Sequence, residues 1–325
     1  MGPRLTTAIL CIAAATALSA CAGSTTDPAV QQRRAALAPV PLPQASEQKG
    51  RDYAGIHNAV AFHPGFVSGS QPEGDEGFQS LAAMGVRTII SVDGAEPEVE
   101  KARAYGLRYI HLPIGYNGFD EERRLQLARA AQDSIKDGPV YIHCHHGKHR
   151  SAGAAAAIAS TLGWQTPEHG VARMKVSGTA PNYTGLYACA VDAAPVAPAA
   201  LDAVVADFPS RWKPSGYVSG MVEIDEVFEH LKEIQAAGWA APNHHPDLVP
   251  AAEAGRLADL YRLLHTDDVV KRKGAGMAEL MQDSNRRAQI LEDLLAAGEK
   301  DKARLNDQFK LVSASCKDCH SRYRD

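Results

Sequence analysis

An apolar run leads directly into a short polar loop and then into an alanine-rich segment. The run is Pro139–Ile142, the loop is His143-Cys144-His145-His146-Gly147-Lys148-His149-Arg150-Ser151, and the alanine-rich segment covers residues 152–158. This order predicts a buried strand, a tight loop and the N-terminus of a helix. The backbone N–H groups of such a loop can converge on an anion, and the positive end of the helix adds to the attraction. The pattern therefore predicts an anion-binding loop with a cysteine near its start and an arginine near its end.

The two residues at the ends of this loop suit covalent chemistry on a phosphate ester. The planar guanidinium of Arg150 can bind two phosphate oxygens at once. The same positive surroundings favour the thiolate of Cys144, which is the form that attacks.

Strand and helix patterns alternate in the first half of the chain. A strand pair is expected over 60–69, helices over 77–85, 96–105 and 120–136, and strands over 87–92 and 108–113. This alternation predicts an α/β domain in which a central, mostly parallel sheet is flanked by helices. The active site is then expected at the carboxyl ends of the strands.

The second half of the chain has helical periodicity throughout. Apolar residues recur at spacings of three and four over 215–237, 247–265, 275–297 and 299–324. Four such segments with short connections predict an all-α antiparallel four-helix bundle. A stretch rich in alanine and proline, 191–211, is interpreted as the linker between a domain over 51–190 and the bundle over 212–325.

The Cys-x5-Arg loop resembles the signature of the protein tyrosine and dual-specificity phosphatase superfamily. The resemblance extends from about Asp52 to Cys189, and Phe66–Pro72 is similar to a segment of small bacterial and plant-type members. The Gly-Lys-His-Arg end of the loop is similar to that of atypical dual-specificity phosphatases, some of which act on inositol phosphates. The resemblance implies an enzyme that hydrolyses phosphate monoesters and needs no cofactor for that step.

The resemblance also implies roles for the residues of the loop. Cys144 would carry a phosphocysteine intermediate, and Arg150 with the loop amides would stabilise the charge on the transferred group. His143 would orient the loop and help hold the thiolate, and Ser151 would help the sulfur leave. The rest of the loop is expected to bind substrate through an unusually cationic rim: His145, His146, Gly147, Lys148 and His149. Solvated loop histidines are the alternative, and a metal site is disfavoured because a metal would compete with phosphate.

The general acid that protonates the leaving group is less evident. In similar sequences it is expected just after the strand at 108–113, where this chain has Asn117, which is not a useful proton donor. Asp120 is favoured slightly over Asp93, although Asp120 could simply cap the next helix and Asp93 could be a turn residue. If neither serves, the enzyme would be slow or restricted to good leaving groups.

A second motif, Cys316-Lys317-Asp318-Cys319-His320, is the pentapeptide of c-type haem attachment. The two thiols would bond covalently to the haem, and His320 would ligate the iron. Cys316 and His320 lie one helical turn apart on an expected apolar face, so the haem is predicted inside the bundle. A redox dithiol is the alternative, and a zinc site would need further ligands such as His244 and His245.

The position of this motif near the end of a helical half resembles class II, cytochrome c′-like proteins. The resemblance covers 212–325 and implies a distal haem position on the first helix, where Met221 falls. Met221 is then either the sixth iron ligand of an electron carrier or a core methionine over a five-coordinate iron. Such bundles often pair, so a homodimer is a further expectation.

The N-terminus predicts export. A short positive region and an apolar run from Ala8 precede Leu18-Ser19-Ala20-Cys21, so residues 1–20 are interpreted as a signal peptide. This ending resembles a bacterial lipobox, which implies lipid attachment at Cys21 and, with Ala22 following, the outer membrane. An ordinary secretory signal is the alternative. Residues 21–50 are interpreted as a flexible tether, which places the protein in the periplasm on a lipid anchor.

Charge and cysteine content limit the partners. A formal net charge of −4 gives no case for nucleic-acid binding. The expected partners are a phosphorylated protein or small phosphate ester, a periplasmic redox partner, and the membrane through the lipid. A disulfide between Cys144 and Cys189 could gate the nucleophile, although Cys189 fits a small buried residue better. The competing hypothesis is a cytochrome whose phosphatase-like domain only binds phosphate or a partner.

Overall fold

The computed structural model describes residues 27–94, 96–212, 216–243, 245 and 248–323. The predicted signal peptide, the lipidation site Cys21 and His244 lie outside the described residues. The first half contains a six-stranded sheet with helices on both sides, and the second half is helical, so the predicted fold classes are confirmed.

The sheet has the strand order β1-β2-β3-β6-β4-β5. Its strands are β1 (Arg51–Tyr53), β2 (Ile56–His63), β3 (Phe66–Ser70), β4 (Thr88–Ser91), β5 (Arg108–His111) and β6 (Val140–Cys144). The pairs of β6 with β3 and β4, and of β4 with β5, are parallel, whereas β1 and β2 run antiparallel at one edge. The carboxyl ends of four strands therefore meet at one edge, with β6 in the middle.

Helices cover both faces of this sheet. They are α1 (Pro28–Ala35), α2 (Gly74–Ala83), α3 (Val99–Ala104), α4 (Glu121–Ser134), α5 (Arg150–Thr161), α6 (Pro167–Val176), α7 (Thr184–Val191) and α8 (Pro198–Asp202). Successive residues of a strand point to opposite faces, so Ile89 belongs to the core beneath α2 and α3, and Ile90 to the core beneath α4 and α5.

The described part of the predicted tether packs against the first domain. Arg34 of α1 donates hydrogen bonds to the carbonyls of Tyr105 and Val86, at 2.8 and 3.0 Å. Leu37, Val40 and Leu42 pack on the core beneath α2. The prediction of a flexible tether overlooked these apolar residues, whose burial favours an ordered path.

The second half forms α9 (Tyr217–Ala236), α10 (Pro250–His265), α11 (Asp268–Lys273), α12 (Ala275–Ala296) and α13 (Lys302–Tyr323). Four long helices match the four predicted segments, and the short α11 lies between the second and third. The helices share a core that includes Val227, Leu257, Leu264, Leu291 and Val312.

Helix α10 is buried on nearly all sides because it lies between the two domains. Leu257 and Tyr261 face the bundle core, whereas Ala252 belongs to the core of the first domain. Its Gly255 lies against the Tyr116 hydroxyl. The carboxyl edge of the sheet therefore meets one face of α10.

Candidate functional site

Cys144 ends the central strand and opens the predicted anion-binding loop. All five residues of β6 are buried, and α5 begins at Arg150, six residues after the cysteine. The Cys144 Sγ lies 3.3 Å from the Ser151 Oγ, within hydrogen-bond reach. The structure thus brings the predicted nucleophile, the arginine and the serine together at the N-terminus of a buried helix.

The carbonyl groups of the loop are bound from outside. Asn58 donates from Nδ2 to the Gly147 carbonyl at 2.9 Å, and the backbone N–H of Gln71 donates to the His145 carbonyl at 3.1 Å. The Thr179 hydroxyl donates to the Lys148 carbonyl at 2.5 Å. The C=O and N–H of one trans peptide point in opposite directions. The N–H groups that share a peptide with these carbonyls therefore point away from Asn58, Gln71 and Thr179. This arrangement suits an inward-facing anion nest.

Gly147 is required by the shape of the loop. Its φ is +70°, and a side chain would collide with the backbone of Gly69 and Ser70 on the neighbouring strand. Only glycine meets both conditions without strain.

His143 is fully buried beneath the loop. Its Nε2 lies 3.0 Å from the Tyr109 hydroxyl and its Nδ1 lies 3.3 Å from the Cys144 carbonyl oxygen. Burial lowers the pKa of His143 to about 4, so the ring is neutral near pH 7. A neutral ring can hold the loop backbone, but it gives the thiolate no positive charge.

Two of the rim histidines are buried enough to disfavour a positive charge. Burial lowers the pKa of His149 to about 4, and burial also lowers the pKa of His145. The His149 ring stacks on Tyr183 with centroids 3.9 Å apart, which accounts for its loss of solvent. Lys148 is the exposed member of the loop and keeps its expected place on the rim.

Arg150 is held by two carboxylates and an aromatic ring. Its Nη2 donates to Asp93 Oδ2 at 3.3 Å, its Nη1 donates to Asp259 Oδ2, and its guanidinium carbon lies 4.2 Å from the Tyr116 ring centroid. Burial alone would lower the pKa of Arg150, but Asp259, Tyr116 and Asp93 raise it, so the group stays charged. Asp259 belongs to α10, so the second domain reaches into this site.

Asp259 also accepts a hydrogen bond from Arg262, one turn along α10. Arg262 in turn lies 3.8 Å from Asp93, so two arginines and two aspartates form one buried cluster. Burial raises the pKa of Asp259 to about 6, although Arg150 acts in the opposite direction. The opposite charges of this cluster pair across the boundary between the sheet domain and the bundle.

A second contact joins the loop to α12. The Glu292 Oε1 lies 3.6 Å from the His146 Nε2. Burial acts to raise the pKa of Glu292, but His146, His145 and Arg150 together lower it, so the carboxylate is ionised.

Sequence reasoning missed Tyr116, Asp259, Arg262 and Glu292. A signal for the interface was present in α10, where Ala252, Gly255 and Asp259 follow a spacing of three and four on the side opposite Leu257 and Tyr261. Small residues at that spacing mark a second packed face. The sequence alone does not show what packs there.

The structure separates the two candidate general acids. Asp93 lies at the loop, against Arg150. Asp120 is exposed and accepts a hydrogen bond from the Arg123 backbone N–H at 2.8 Å, so it caps α4. Asn117, on the segment after β5, is exposed as well.

A polar cleft of about 480 Å³ opens beside the loop, between the two domains. The sheet domain contributes Gln71 and His145 to its walls, and the bundle contributes Arg262, His265 and Asn285. Of the residues from Cys144 to Arg150, His145 lines this cleft.

A larger, mostly apolar cavity of about 750 Å³ lies in the bundle. Cys316, Cys319, His320 and Met221 all line it, so the four predicted haem residues are brought together. The Tyr261 hydroxyl of α10 lies 3.2 Å from the Cys316 Sγ. Two thiols, an imidazole and a thioether around an apolar cavity fit the donor set expected for haem c.

His320 departs from its predicted position. The buried stripe of α13 runs through Val312, Ser315 and Cys319, whereas His320 is exposed. The prediction that His320 continues the apolar stripe of the last helix is therefore wrong, although His320 still lines the cavity.

The structure also bears on the predicted disulfide and on metal binding. Cys144, Cys189, Cys316 and Cys319 are free thiols, and Cys189 exchanges hydrogen bonds with the Phe119 backbone. Within the described ranges, no cluster of three or more histidine, cysteine or acidic residues could hold a metal ion. No helix in the described part of the chain is long and apolar enough to cross a membrane.

Two family models match the chain. Residues 61–187 match the DSP-PTPase phosphatase domain described as a Swiss Army Knife protein, PTP-SAK. Residues 266–324 match cytochrome C′. No curated protein matches the chain.

Solved structures are similar to the first domain. P. aeruginosa TpbA is 18% identical with a TM-score of 0.38, covering 45% of this chain and 91% of its own. A complex of a TpbA variant with pTyr is 16% identical with a TM-score of 0.35, covering 46% and 99%. A DUF442 protein from Shewanella putrefaciens CN-32 is 19% identical with a TM-score of 0.35, covering 43% and 95%.

Each family match covers one of the two cysteine motifs in the sequence. The first encloses the loop from Cys144 to Arg150, and the second encloses Cys316, Cys319 and His320. The chain joins a domain that resembles DSP-PTPase phosphatases to a helical domain that resembles cytochrome c′.

Proposed function

We propose that this protein is a cysteine-dependent phosphatase that hydrolyses phosphate monoesters and carries covalently attached haem c in its second domain. The observation that carries the proposal is the buried loop in which Cys144, Ser151 and Arg150 converge at the N-terminus of α5. The match to a phosphatase family model supports it.

In the first step, the Cys144 thiolate attacks phosphorus, the S–P bond forms and the ester P–O bond breaks. The leaving oxygen takes a proton from an acid, and Arg150 with the loop amides stabilises the charge on the transferred phosphoryl group. In the second step, water attacks phosphorus and the S–P bond breaks. This releases phosphate and a proton, and the Ser151 hydroxyl donates a hydrogen bond to the departing sulfur.

The choice of general acid limits the substrates. Asp93 is the candidate at the loop, but it is engaged with Arg150, and Asp120 is engaged in capping α4. Neither carboxylate is free to donate a proton in the arrangement described, and Asn117 cannot do so. The chain is therefore best suited to esters with good leaving groups, such as aryl phosphates.

The cavity in the bundle fits haem c. Cys316 and Cys319 would hold the haem covalently, and burial raises the pKa of both thiols. His320 would ligate the iron, and Met221 on the cavity wall is the candidate for a further ligand. When bound, haem would supply one-electron chemistry or a site for a small gas.

The state of the second domain is proposed to adjust the phosphatase. Helix α10 supports this, because Tyr261 contacts Cys316 on one side and Asp259 contacts Arg150 on the other. The two sites are thus separated by about the thickness of one helix, roughly 10 Å. A change in packing around Tyr261 therefore has a short path to the loop.

Hydrolysis of 4-nitrophenyl phosphate by the full-length haem-loaded protein tests both parts. Activity that is abolished by Cys144→Ser supports the phosphatase, and absence of any activity in the wild type favours the phosphate-binding alternative. Rates measured with the haem oxidised, reduced and gas-bound should differ. Equal rates in all three states would rule out regulation through the haem.

Export on a lipid anchor is also proposed, from the leader and the lipobox-like Leu18–Cys21. Haem attachment of this type in bacteria occurs outside the cytoplasm, which is consistent with such a leader. Radiolabelled palmitate should be incorporated into the wild type and not into Cys21→Ser. Incorporation into both proteins would contradict lipidation at Cys21.

A further inference from the structure

We propose that Asp259 is a positioning residue for the phosphatase loop: the helical domain supplies a carboxylate that holds Arg150 in its phosphate-binding orientation. The active site is then composite, and it is complete only when α10 is docked on the sheet domain. The inference rests on the proposed function, because it assigns a role at the same site.

Protein contacts hold the Arg150 guanidinium on two edges and one face. Asp259 binds Nη1, Asp93 lies 3.3 Å from Nη2, and the Tyr116 ring covers one face. Only 2% of the arginine side chain is exposed. The orientation of the group is therefore fixed by protein contacts on two edges and a face, and one of the two carboxylates comes from the second domain.

Several N–H donors of Arg150 remain available for a bound anion. A guanidinium has five N–H donors, and the two carboxylates account for one on each Nη. The Nε is buried and makes no hydrogen bond with any residue that the structure describes. Nε and the remaining hydrogens of the Nη groups are thus left for an anion, as side-on binding of a phosphate requires.

Asp259 contacts Arg150 without occupying the phosphate site. A carboxylate that imitated bound phosphate would accept hydrogen bonds from the loop amides. Across the described ranges, the side-chain hydrogen bonds of Asp259 run to Arg150 and Arg262 only. Asp259 therefore supports the arginine rather than filling the nest.

Other residues of the bundle hold Asp259 in place. Arg262 binds its second oxygen and donates from Nη1 to Gln289 Oε1 of α12, at 2.8 Å. The Asp259 carboxylate is thus supported by residues of two bundle helices, α10 and α12. With Asp93, the cluster has two positive and two negative groups, so the charges within the cluster are balanced.

The test compares Asp259→Asn with Glu253→Gln in the full-length haem-loaded protein. Glu253 is a matched control, because it is a buried carboxylate of the same helix whose partners, His230 and Arg256, lie within the bundle. We measure kcat and KM for 4-nitrophenyl phosphate, and the dissociation constant of inorganic phosphate by calorimetry. The haem absorption spectrum and the melting temperature show whether each variant is folded.

Asp259→Asn should raise KM and the phosphate dissociation constant about tenfold, the loss expected for one charge-assisted hydrogen bond, with a smaller change in kcat. Asp259→Glu should restore part of the affinity, and Glu253→Gln should leave it unchanged. Arg262→Gln, which keeps Asp259 but removes its support, should act in the same direction as Asp259→Asn. This variant keeps the test decisive if Asp259→Asn does not fold.

Tighter phosphate binding or faster turnover in Asp259→Asn would overturn the proposal and identify Asp259 as an inhibitory occupant of the site. Unchanged affinity would overturn it as well. If the wild type binds phosphate but turns over no ester, while Asp259→Asn binds phosphate more weakly, the proposed enzyme function fails and the positioning role stands.

Discussion

At the scale of single residues, the site differs from its expected chemistry in the charge of its histidines. His143 and His149 are neutral because burial lowers the pKa of each to about 4. A sequence shows that histidines surround the loop, but not how much water reaches them. Permanent positive charge at this site comes from Arg150 and Arg262, with Lys148 on the rim.

The buried His143 predicts a pH dependence of stability. Its pKa in the folded protein lies below the value of about 6.5 expected in the unfolded chain. The unfolded state therefore binds more protons between pH 6.5 and 4, and stability falls as the pH is lowered through that window. A shift of this size corresponds to about 3 kcal/mol, present in full above pH 6.5.

Chemical denaturation of the wild type and His143→Gln at several pH values checks this contribution. The free energy of unfolding should fall less steeply between pH 6.5 and 4 in the variant. The exposed His169 provides a control, and His169→Gln should keep the wild-type slope. Parallel curves for the wild type and His143→Gln would contradict the assignment.

Asn117 gives a second prediction at this scale. Because an amide cannot protonate a leaving group, wild-type rates should depend strongly on the leaving group and favour 4-nitrophenyl phosphate over phenyl phosphate. Asn117→Asp should raise the rate with phenyl phosphate about tenfold, because general-acid catalysis contributes roughly 10²–10⁴-fold when complete. The rate with 4-nitrophenyl phosphate, which has the better leaving group, should change less. Asp120→Asn serves as the comparison and should change both rates little, because the Asn side-chain oxygen can cap α4 in place of the Asp120 carboxylate.

A rate that is independent of the leaving group in the wild type would show that another acid already serves. If a strong dependence on the leaving group then appears in Asp93→Asn and not in Asp120→Asn, the loop aspartate is the acid despite its contact with Arg150.

At the scale of elements, most strands and helices could be predicted from periodicity. The strands at 88–91 and 108–111 and the four long helices of the bundle lie within a few residues of their expected bounds. The packed segment at 27–50 was missed because Leu37, Val40 and Leu42 follow neither a helical nor a strand period. After α1, tertiary contacts rather than regular secondary structure order this segment.

Helix α10 shows which part of a site a sequence cannot supply. Its apolar stripe predicts that it packs in the bundle, and that prediction is confirmed by Leu257 and Tyr261. Its opposite face carries Gly255 and Asp259, whose role depends on a partner more than 100 residues away in the chain. The catalytic loop could be found because its residues are contiguous, whereas the residues that hold Arg150 are not.

Gly255 permits the close approach of α10 to the loop. A methyl group there would crowd the Tyr116 hydroxyl and the Glu292 carboxylate. Gly255→Ala should therefore weaken inorganic phosphate binding by roughly fivefold, from an overpacking cost of about 1 kcal/mol. Gly220→Ala is the matched control, because its methyl group would meet only Leu264 inside the bundle.

Calorimetric titration with phosphate compares the two glycine variants. Equal affinities for Gly255→Ala and Gly220→Ala would mean that the spacing between α10 and Tyr116 does not control the orientation of Arg150.

At the scale of the whole molecule, the two domains share charge as well as apolar surface. Asp93 and Arg150 come from the sheet domain, and Asp259 and Arg262 from the bundle. Removing one member of such a buried group leaves an uncompensated charge, which costs about 3–5 kcal/mol. The two domains are thus energetically linked, although each has a core of its own.

This linkage predicts how the protein unfolds. In the wild type, loss of the haem absorption band and loss of far-ultraviolet circular dichroism should coincide during thermal unfolding, as expected for a cooperative transition. Asp259→Ala should separate the two curves, because Arg150 then loses the one of its two carboxylates that comes from the bundle, and docking is weakened. Glu253→Gln, whose contacts lie within the bundle, should lower the melting temperature of the bundle without separating them. Curves that are separate already in the wild type would show that the domains unfold independently, and the contact between Asp259 and Arg150 would then be too weak to transmit the state of one domain to the other.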